Sequence, residues 1–272
     1  MAIGIRAEQY TKLYGIFIGI ERFPQSNGRI KNLLHANEDA DVLCNFFLEN
    51  CQIKKIENEL TLFTNEGYKT KTDYSNTVKV ENGIRVNILK TLTNYIKEAK
   101  ANDLLLVFIS THGETDYNDY FFIPSDGDID NILGTGISSS TLIQALSKVS
   151  AKDVKVLMII DTCFSGAISF DITKYKGEFS CLLSSSPVEY SYEFLNNDIE
   201  HGIFTYYLIE GLKGEASENS NVSLVNLFDY VYKNVQKETE KRQNPLLIGT
   251  MNYNFDITKA TKIRDNNIGE TR

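Results

Sequence analysis

Asp103-Leu-Leu-Leu-Val-Phe-Ile-Ser-Thr-His-Gly113 and Val154-Lys-Val-Leu-Met-Ile-Ile-Asp-Thr-Cys-Phe-Ser-Gly166 are two apolar runs that each deliver a reactive residue, His112 and Cys163. Both runs are short, aliphatic and β-branched, and both are stopped by glycine, which predicts fully buried strands rather than helices. In an open α/β sheet the ligand crevice lies at the carboxyl ends of the strands. Two such strands side by side would therefore present an imidazole and a thiol at one rim. That is a nucleophile with its base.

Outward from these runs, strand and helix patterns alternate. Residues 13–20 predict an apolar first strand and 56–64 a second. Residues 37–50 form an amphipathic helix with Ala40, Leu43, Phe46 and Phe47 on its apolar face. A polar loop is expected over 69–83, followed by a helix over 84–101 striped by Ile84, Ile88, Leu92 and Ile96. Residues 120–124 read as a short aromatic strand, and 138–150 as a helix whose serines cap its start. After Cys163 come a long loop (166–179), a fifth strand (179–185), helices over 202–212 and 223–242, and an apolar hairpin or edge strand (245–257). This alternation implies βαβ crossovers, hence an α/β fold with a largely parallel sheet and helices on both faces. The 272 residues fit a single domain with a core over about 10–258 and a flexible tail over 259–272.

The formal charge of −8 argues against nucleic acid or an anionic membrane as partner, and suits a site that attracts basic peptides. The four cysteines (Cys44, Cys51, Cys163, Cys181) contain no C-x-x-C pair, so neither a disulfide framework nor a zinc site is expected. Residues 14–20 are apolar but too few for a signal peptide, and no run approaches a membrane span, so a cytoplasmic location is expected. No phosphate-binding or dinucleotide motif is present.

Cys163 sits where a strand turns into a loop, so backbone N–H groups there are free to stabilise a thiolate or an oxyanion. The Gly113 and Cys163 N–H groups are the expected oxyanion donors, and His112 the base. His35 and His201 have no comparable setting; His201, in His-Gly-Ile-Phe-Thr, is expected to be structural.

Ser-Thr-His-Gly and Asp-Thr-Cys-Phe-Ser-Gly resemble the His-Gly and Asp-x-Cys-x-Ser-Gly blocks of caspase-like cysteine peptidases, most closely the metacaspase-type and bacterial members. His112 and Cys163 are 51 residues apart, close to the ~50 of that clan. Tyr14-Gly-Ile-Phe-Ile-Gly-Ile20, Leu34-His-Ala-Asn-Glu-Asp-Ala40 and His201-Gly-Ile-Phe-Thr-Tyr-Tyr-Leu208 resemble further blocks of the family, across about residues 10–258.

The resemblance implies the caspase-like three-layer sandwich and a cysteine endopeptidase acting through His112 and Cys163. True caspases carry Gln-Ala-Cys and a basic S1 pocket, whereas here Asp161 stands two before Cys163 and Ser110 two before His112. By the metacaspase pattern, Asp161, Asp39, Ser110 and the weaker candidate Glu193 would line an acidic S1 pocket. Two carboxylates in one pocket need a cation, which Arg or Lys at P1 supplies. The alternative is that Asp161 caps backbone amides and Asp39 lies on a solvated helix face.

Lys174 and Lys176 are candidates for self-cleavage. Asp126, Asp128 and Asp130, with Asp171 as an extra donor, have calcium-loop spacing but lack the EF-hand glutamate, so calcium activation is an expectation beside a reaction that requires no cofactor. The rival readings are an aspartate-specific caspase, a clostripain- or legumain-like peptidase, and a non-catalytic caspase-fold interaction module. A separate activator protein would be a natural partner.

Overall fold

The structure is a computed structural model that describes residues 10–116, 119–172, 177–194, 199–251 and 255–259. The apolar runs become the strands of one sheet: β1 (Lys12–Gly19), β2 (Glu57–Thr64), β3 (Val78–Asn82), β4 (Leu104–Ser110), then β8 (Lys155–Asp161), β9 (Phe179–Leu183) and β11 (Leu246–Gly249). Between β4 and β8, β5 (Gly113–Asp116), β6 (Asp119–Phe122) and β7 (Ile137–Ser138) form a small antiparallel sheet of their own. β10 (Asn221–Ser223) pairs with β12 (Asp256–Lys259).

The main sheet runs β11-β9-β8-β4-β1-β2-β3. All neighbours are parallel except β11, which lies antiparallel on β9 at one edge. The helices are α1 (Ala36–Lys54), α2 (Arg85–Glu98), the single turns α3 (Ile132–Thr135) and α5 (Ser169–Ile172), α4 (Ser139–Leu146), α6 (Ile203–Glu210) and α7 (Leu224–Glu238).

Strand side chains alternate between the two faces. Leu13 and Phe17, Leu104, Leu106 and Phe108, and Leu157 and Ile159 pack into one cluster with Leu43 and Phe47 of α1, Phe204 and Leu208 of α6 and Leu227 of α7. Their alternates Ile16, Ile18, Leu105, Val107, Ile109, Met158 and Ile160 pack under Ile88 and Leu92 of α2 and Leu142 of α4. Burying one such side chain contributes about 1.5–3 kcal/mol, against about 0–1 for a surface ion pair such as Lys12–Glu59. Packing, not charge, holds the layers.

Helix starts follow capping chemistry where it exists. The Ser138 hydroxyl accepts from Thr141 N at α4, and Ser223 from Asn226 N at α7. Among the described residues no helix is long and apolar enough to cross a membrane.

Three expectations need correction. The loop expected over 69–83 contains β3, whose Val-Lys-Val-Glu-Asn alternation suits a half-exposed edge strand. Of the hairpin or edge strand expected over 245–257, the edge strand holds and the hairpin does not: β11 forms one edge of the main sheet, whereas β12 joins β10. The helix expected over 138–150 is α-helical only to Leu146 and tightens to a 3-10 turn over Ser147–Lys152. The tail over 260–272 lies outside the described residues.

Candidate active site

β4 and β8 are adjacent, and their last residues, Ser110 and Asp161, are register partners. His112 and Cys163 follow two residues later on the same carboxyl rim. Both line one small cleft with Asp39, Ser110, Asp161 and Glu193. The structure thus brings together every residue the sequence proposed for catalysis and for the S1 pocket. Parity explains the grouping: Ser110 and Asp161 continue the side-chain row of Phe108 and Ile159, facing α1 and α6.

The turn carrying Cys163 is held from below. Tyr120, buried in β6, donates its hydroxyl to the Cys163 carbonyl at 2.7 Å and lies 2.6 Å from the Thr162 hydroxyl. The Tyr120 hydroxyl fills the space beside Gly113, where a Cβ would stand 1.6 Å from it, so residue 113 must be glycine. Phe164, just after Cys163, has φ 58°, an uncommon left-handed conformation for a bulky residue. Its N–H donates to Glu189 O at 2.8 Å, and its ring packs on Tyr190.

The Cys163 thiol lies 3.9 Å from Ser191 O. Burial pushes its pKa above the ordinary 9.0, and the charges of Asp161 and Glu193 push the same way. Cys44, Cys51 and Cys181 are free and fully buried; Cys163 is the partly exposed thiol.

His112 Nε2 lies 2.7 Å from Lys31 O. A carbonyl only accepts, so Nε2 carries the proton and Nδ1 is the basic nitrogen. The ring rests on Phe23, 5.0 Å between centroids. Burial lowers the imidazole pKa below 6.5, only partly offset by Lys31 O and Glu114. The resting pair is therefore neutral imidazole and neutral thiol. Gly113 pairs with Phe122, while Ile123 N bonds His112 O. Antiparallel pairs alternate between bonded and non-bonded, so the Gly113 N–H points away from β6 and stays free of the ladder.

Beside His112 and Cys163 lie two buried carboxylates. Asp161 accepts from Ser191 Oγ at 2.5 Å and Thr205 Oγ1 at 2.7 Å. Asp39, in the first turn of α1, accepts from Gly202 N at 3.3 Å and pairs with His201 Nδ1 at 2.8 Å. A Cβ on Gly202 would stand 2.9 Å from Asp161 Oδ2 and 3.2 Å from Asp39 Oδ2, so that glycine leaves the floor of the pocket open.

Burial, and then the charge of Asp161, raise Asp39 well above the usual carboxylate range. Burial also raises Asp161, against the pull of its hydroxyl donors. His201 is itself lowered to about 4, first by burial, so it stays neutral at pH 7. The hydrogen-bond partners of both acids are thus neutral groups. The alternative of a solvated Asp39 does not match its burial, whereas Asp161 does accept from the Thr205 amide in the first turn of α6 as well as from hydroxyls.

Glu193 stands on the pocket wall, but its carboxylate is turned to the chain before α1. Its Oε1 accepts from Leu34 N at 2.9 Å and His35 N at 3.0 Å. His201, expected to be structural only, turns out to be a partner of a pocket acid.

Sequence reading missed Gln243 altogether. Fully buried, it donates to Ser184 O and to Ser191 Oγ and accepts from Tyr192 N, tying the segment before β11 to the pocket wall. Tyr120, Lys31 O and Thr205 were missed too, although Tyr120 lay in the expected aromatic strand and Thr205 in a block that carries the family resemblance.

The aspartates with calcium-loop spacing do not converge. Asp126 accepts from Arg85 N at the start of α2, Asp128 from Asp130 N, and Asp130 pairs with Arg29. Asp171 accepts from Ser139 Oγ. Among the described residues no group of three or more His, Cys, Asp or Glu is placed to hold a metal ion. Lys174 and Lys176 lie outside the described residues.

Comparison with known proteins agrees with the geometry. The family model for the caspase domain matches residues 14–255, and the chain belongs to that family. A crystal structure of a protein from Geobacter sulfurreducens shares the fold, with a TM-score of 0.59 at 15% identity, over 92% of this chain and 98% of that one. No curated protein matches the sequence. The caspase domain is a cysteine-peptidase domain, and its substrates are proteins.

Proposed function

We propose that this caspase-domain chain is a cysteine endopeptidase that cleaves after Arg or Lys, with Cys163 as nucleophile and His112 as general base. The observation that carries the P1 assignment is the pair Asp39 and Asp161. Both present an oxygen within 3.2 Å of one point on the pocket floor, and both have neutral partners. Two full charges that close repel by roughly 3 kcal/mol at an effective dielectric near 20. A guanidinium or ammonium between them removes that repulsion and gains charge-assisted hydrogen bonds.

On this reading the P1 carbonyl carbon sits over Cys163 Sγ. The thiol proton passes to His112 Nδ1 as sulfur attacks, and the carbonyl oxygen becomes an oxyanion held by the Gly113 and Cys163 N–H groups. His112 then protonates the leaving amine, and water, deprotonated by the same imidazole, releases the acyl group. A P1 cation also offsets the Asp161 and Glu193 charges that disfavour the thiolate. Self-cleavage after Lys174 or Lys176 belongs to the same proposal, since a basic loop and an acidic pocket share one chain.

Fluorogenic peptides with Arg, Lys or Asp at P1, turned over by wild type and Cys163→Ala with calcium or chelator, test the proposal. Turnover of the Arg and Lys peptides that vanishes in Cys163→Ala is expected. Turnover of the Asp peptide alone would overturn the pocket assignment and leave the nucleophile standing. Silence throughout, together with no faster alkylation of Cys163 than of the buried thiols, would favour a non-catalytic module. Intact mass of wild type beside Cys163→Ala reads self-cleavage.

A further inference from the structure

The segment between β1 and α1 touches both halves of the site. At Lys31 its carbonyl meets His112 Nε2 at 2.7 Å. Three residues later, Leu34 N and, beside it, His35 N donate to Glu193 Oε1, and Leu34 N also reaches Oε2 at 3.2 Å. Between them Leu33 N bonds Glu21 O at 3.0 Å, and Leu33 lines the cleft. Lys31 and Leu34 are separated by roughly 10 Å of chain even at full extension, so a shift at one is felt at the other.

Glu193 is fixed from the opposite side. Its backbone bridges Gly202, the open floor of the pocket, while Ile203 N bonds Tyr192 O. The amides it accepts immediately precede α1, where orphan N–H groups and the helix dipole favour an anion. These two amides hold the carboxylate against the strap.

We infer that Glu193 is a positioning residue for the base, not a ligand of P1: it clamps the strap 31–35 so that the Lys31 carbonyl keeps His112 in the Nε2-protonated form, with Nδ1 basic. Closure of the pocket wall and orientation of the imidazole are thereby one event. The kinetic consequence rests on the peptidase reading above; the consequence for the imidazole does not.

Oε1 alone accepts from both amides, so glutamine preserves the clamp and alanine abolishes it. The experiment compares wild type, Glu193→Ala and Glu193→Gln by imidazole nitrogen NMR and by kinetics on a P1-Arg peptide. Three histidines make assignment tractable with His35→Gln and His201→Asn as references.

Expected for Glu193→Ala is a His112 spectrum moved from the single Nε2-protonated form toward a mixture. Its kcat should fall about tenfold, the scale of one hydrogen bond, with KM changed by no more than about twofold. Glu193→Gln should restore both. An unchanged His112 spectrum in Glu193→Ala would overturn the clamp, as would a raised KM at constant kcat in both variants. Should wild type cleave nothing, the spectra alone decide, so failure of the peptidase reading and failure of the clamp remain distinct.

Discussion

The two faces of the main sheet reach the same rim and do opposite things there. Under α2 and α4 the rows stay apolar to the end, finishing in Ile109 and Ile160. Under α1 and α6 they turn polar at the last residue, finishing in Ser110 and Asp161. One step along the strand separates a residue that holds the layers together from one that lines the pocket. Strand parity, rather than distance from the nucleophile, decides which residues can contribute to recognition.

The sharpest way to break that comparison is to put a carboxylate on the wrong face. Ile160→Asp buries a charge with no hydroxyl donors; we expect a loss of roughly 3 kcal/mol or more in denaturant unfolding, enough to threaten folding. Asp161→Asn, one residue on, should leave the unfolding midpoint within about 1 kcal/mol of wild type. Equal destabilisation by the two would contradict the division of labour. Phe108→Ala, on the α1 face but one turn of the pleat below Ser110, should cost about 3–5 kcal/mol while leaving P1 preference intact in the folded fraction.

Recognition effects come next. Asp161→Asn should raise KM for P1-Arg peptides about 10- to 100-fold with a smaller change in kcat. The pH dependence carries a sign. Both acids are raised in the free enzyme, so lowering the pH protonates one of them and weakens P1 binding. Because the charge of Asp161 helps raise Asp39, Asp161→Asn should move the acid limb of kcat/KM for Arg peptides to lower pH. A limb that stays or moves up would contradict the shared pocket. The acid limb of kcat itself should lie below pH 6.5, since burial lowers His112.

The smallest effect belongs to Gln243. Of its three hydrogen bonds to the segment 184–192, the one to Ser184 O is buried and the other two are part-buried. Gln243→Ala should cost about 1–3 kcal/mol for the groups left unpaired, with a modest rise in KM.

The face bearing the chemistry was legible in the sequence wherever a local pattern encoded it. The apolar strands stopped by glycine pointed to His112 and Cys163, and the resemblance to metacaspase-type peptidases pointed to Asp161 and Ser110, two residues before each. Strand β3 was less visible, because an edge strand with alternating valines and charges looks like a polar loop until its neighbour is known. His201, Gln243, Tyr120 and the Lys31 carbonyl act through partners far away in sequence. Nothing in their own neighbourhoods distinguishes a residue that orients a catalytic group from one that is merely buried. Glu193 shows the limit in reverse: its type fitted an acidic pocket, whose wall it does line, but nothing local revealed that its Oε1 accepts from two backbone amides.

The measurement that bears most directly on the account compares a P1-Arg peptide with its P1-citrulline isostere, which keeps the shape and removes the charge, in wild type and in Asp161→Asn. The account predicts strong preference for Arg in wild type, a preference that collapses in Asp161→Asn, and no turnover of either peptide by Cys163→Ala. Equal cleavage of Arg and citrulline by wild type would contradict it.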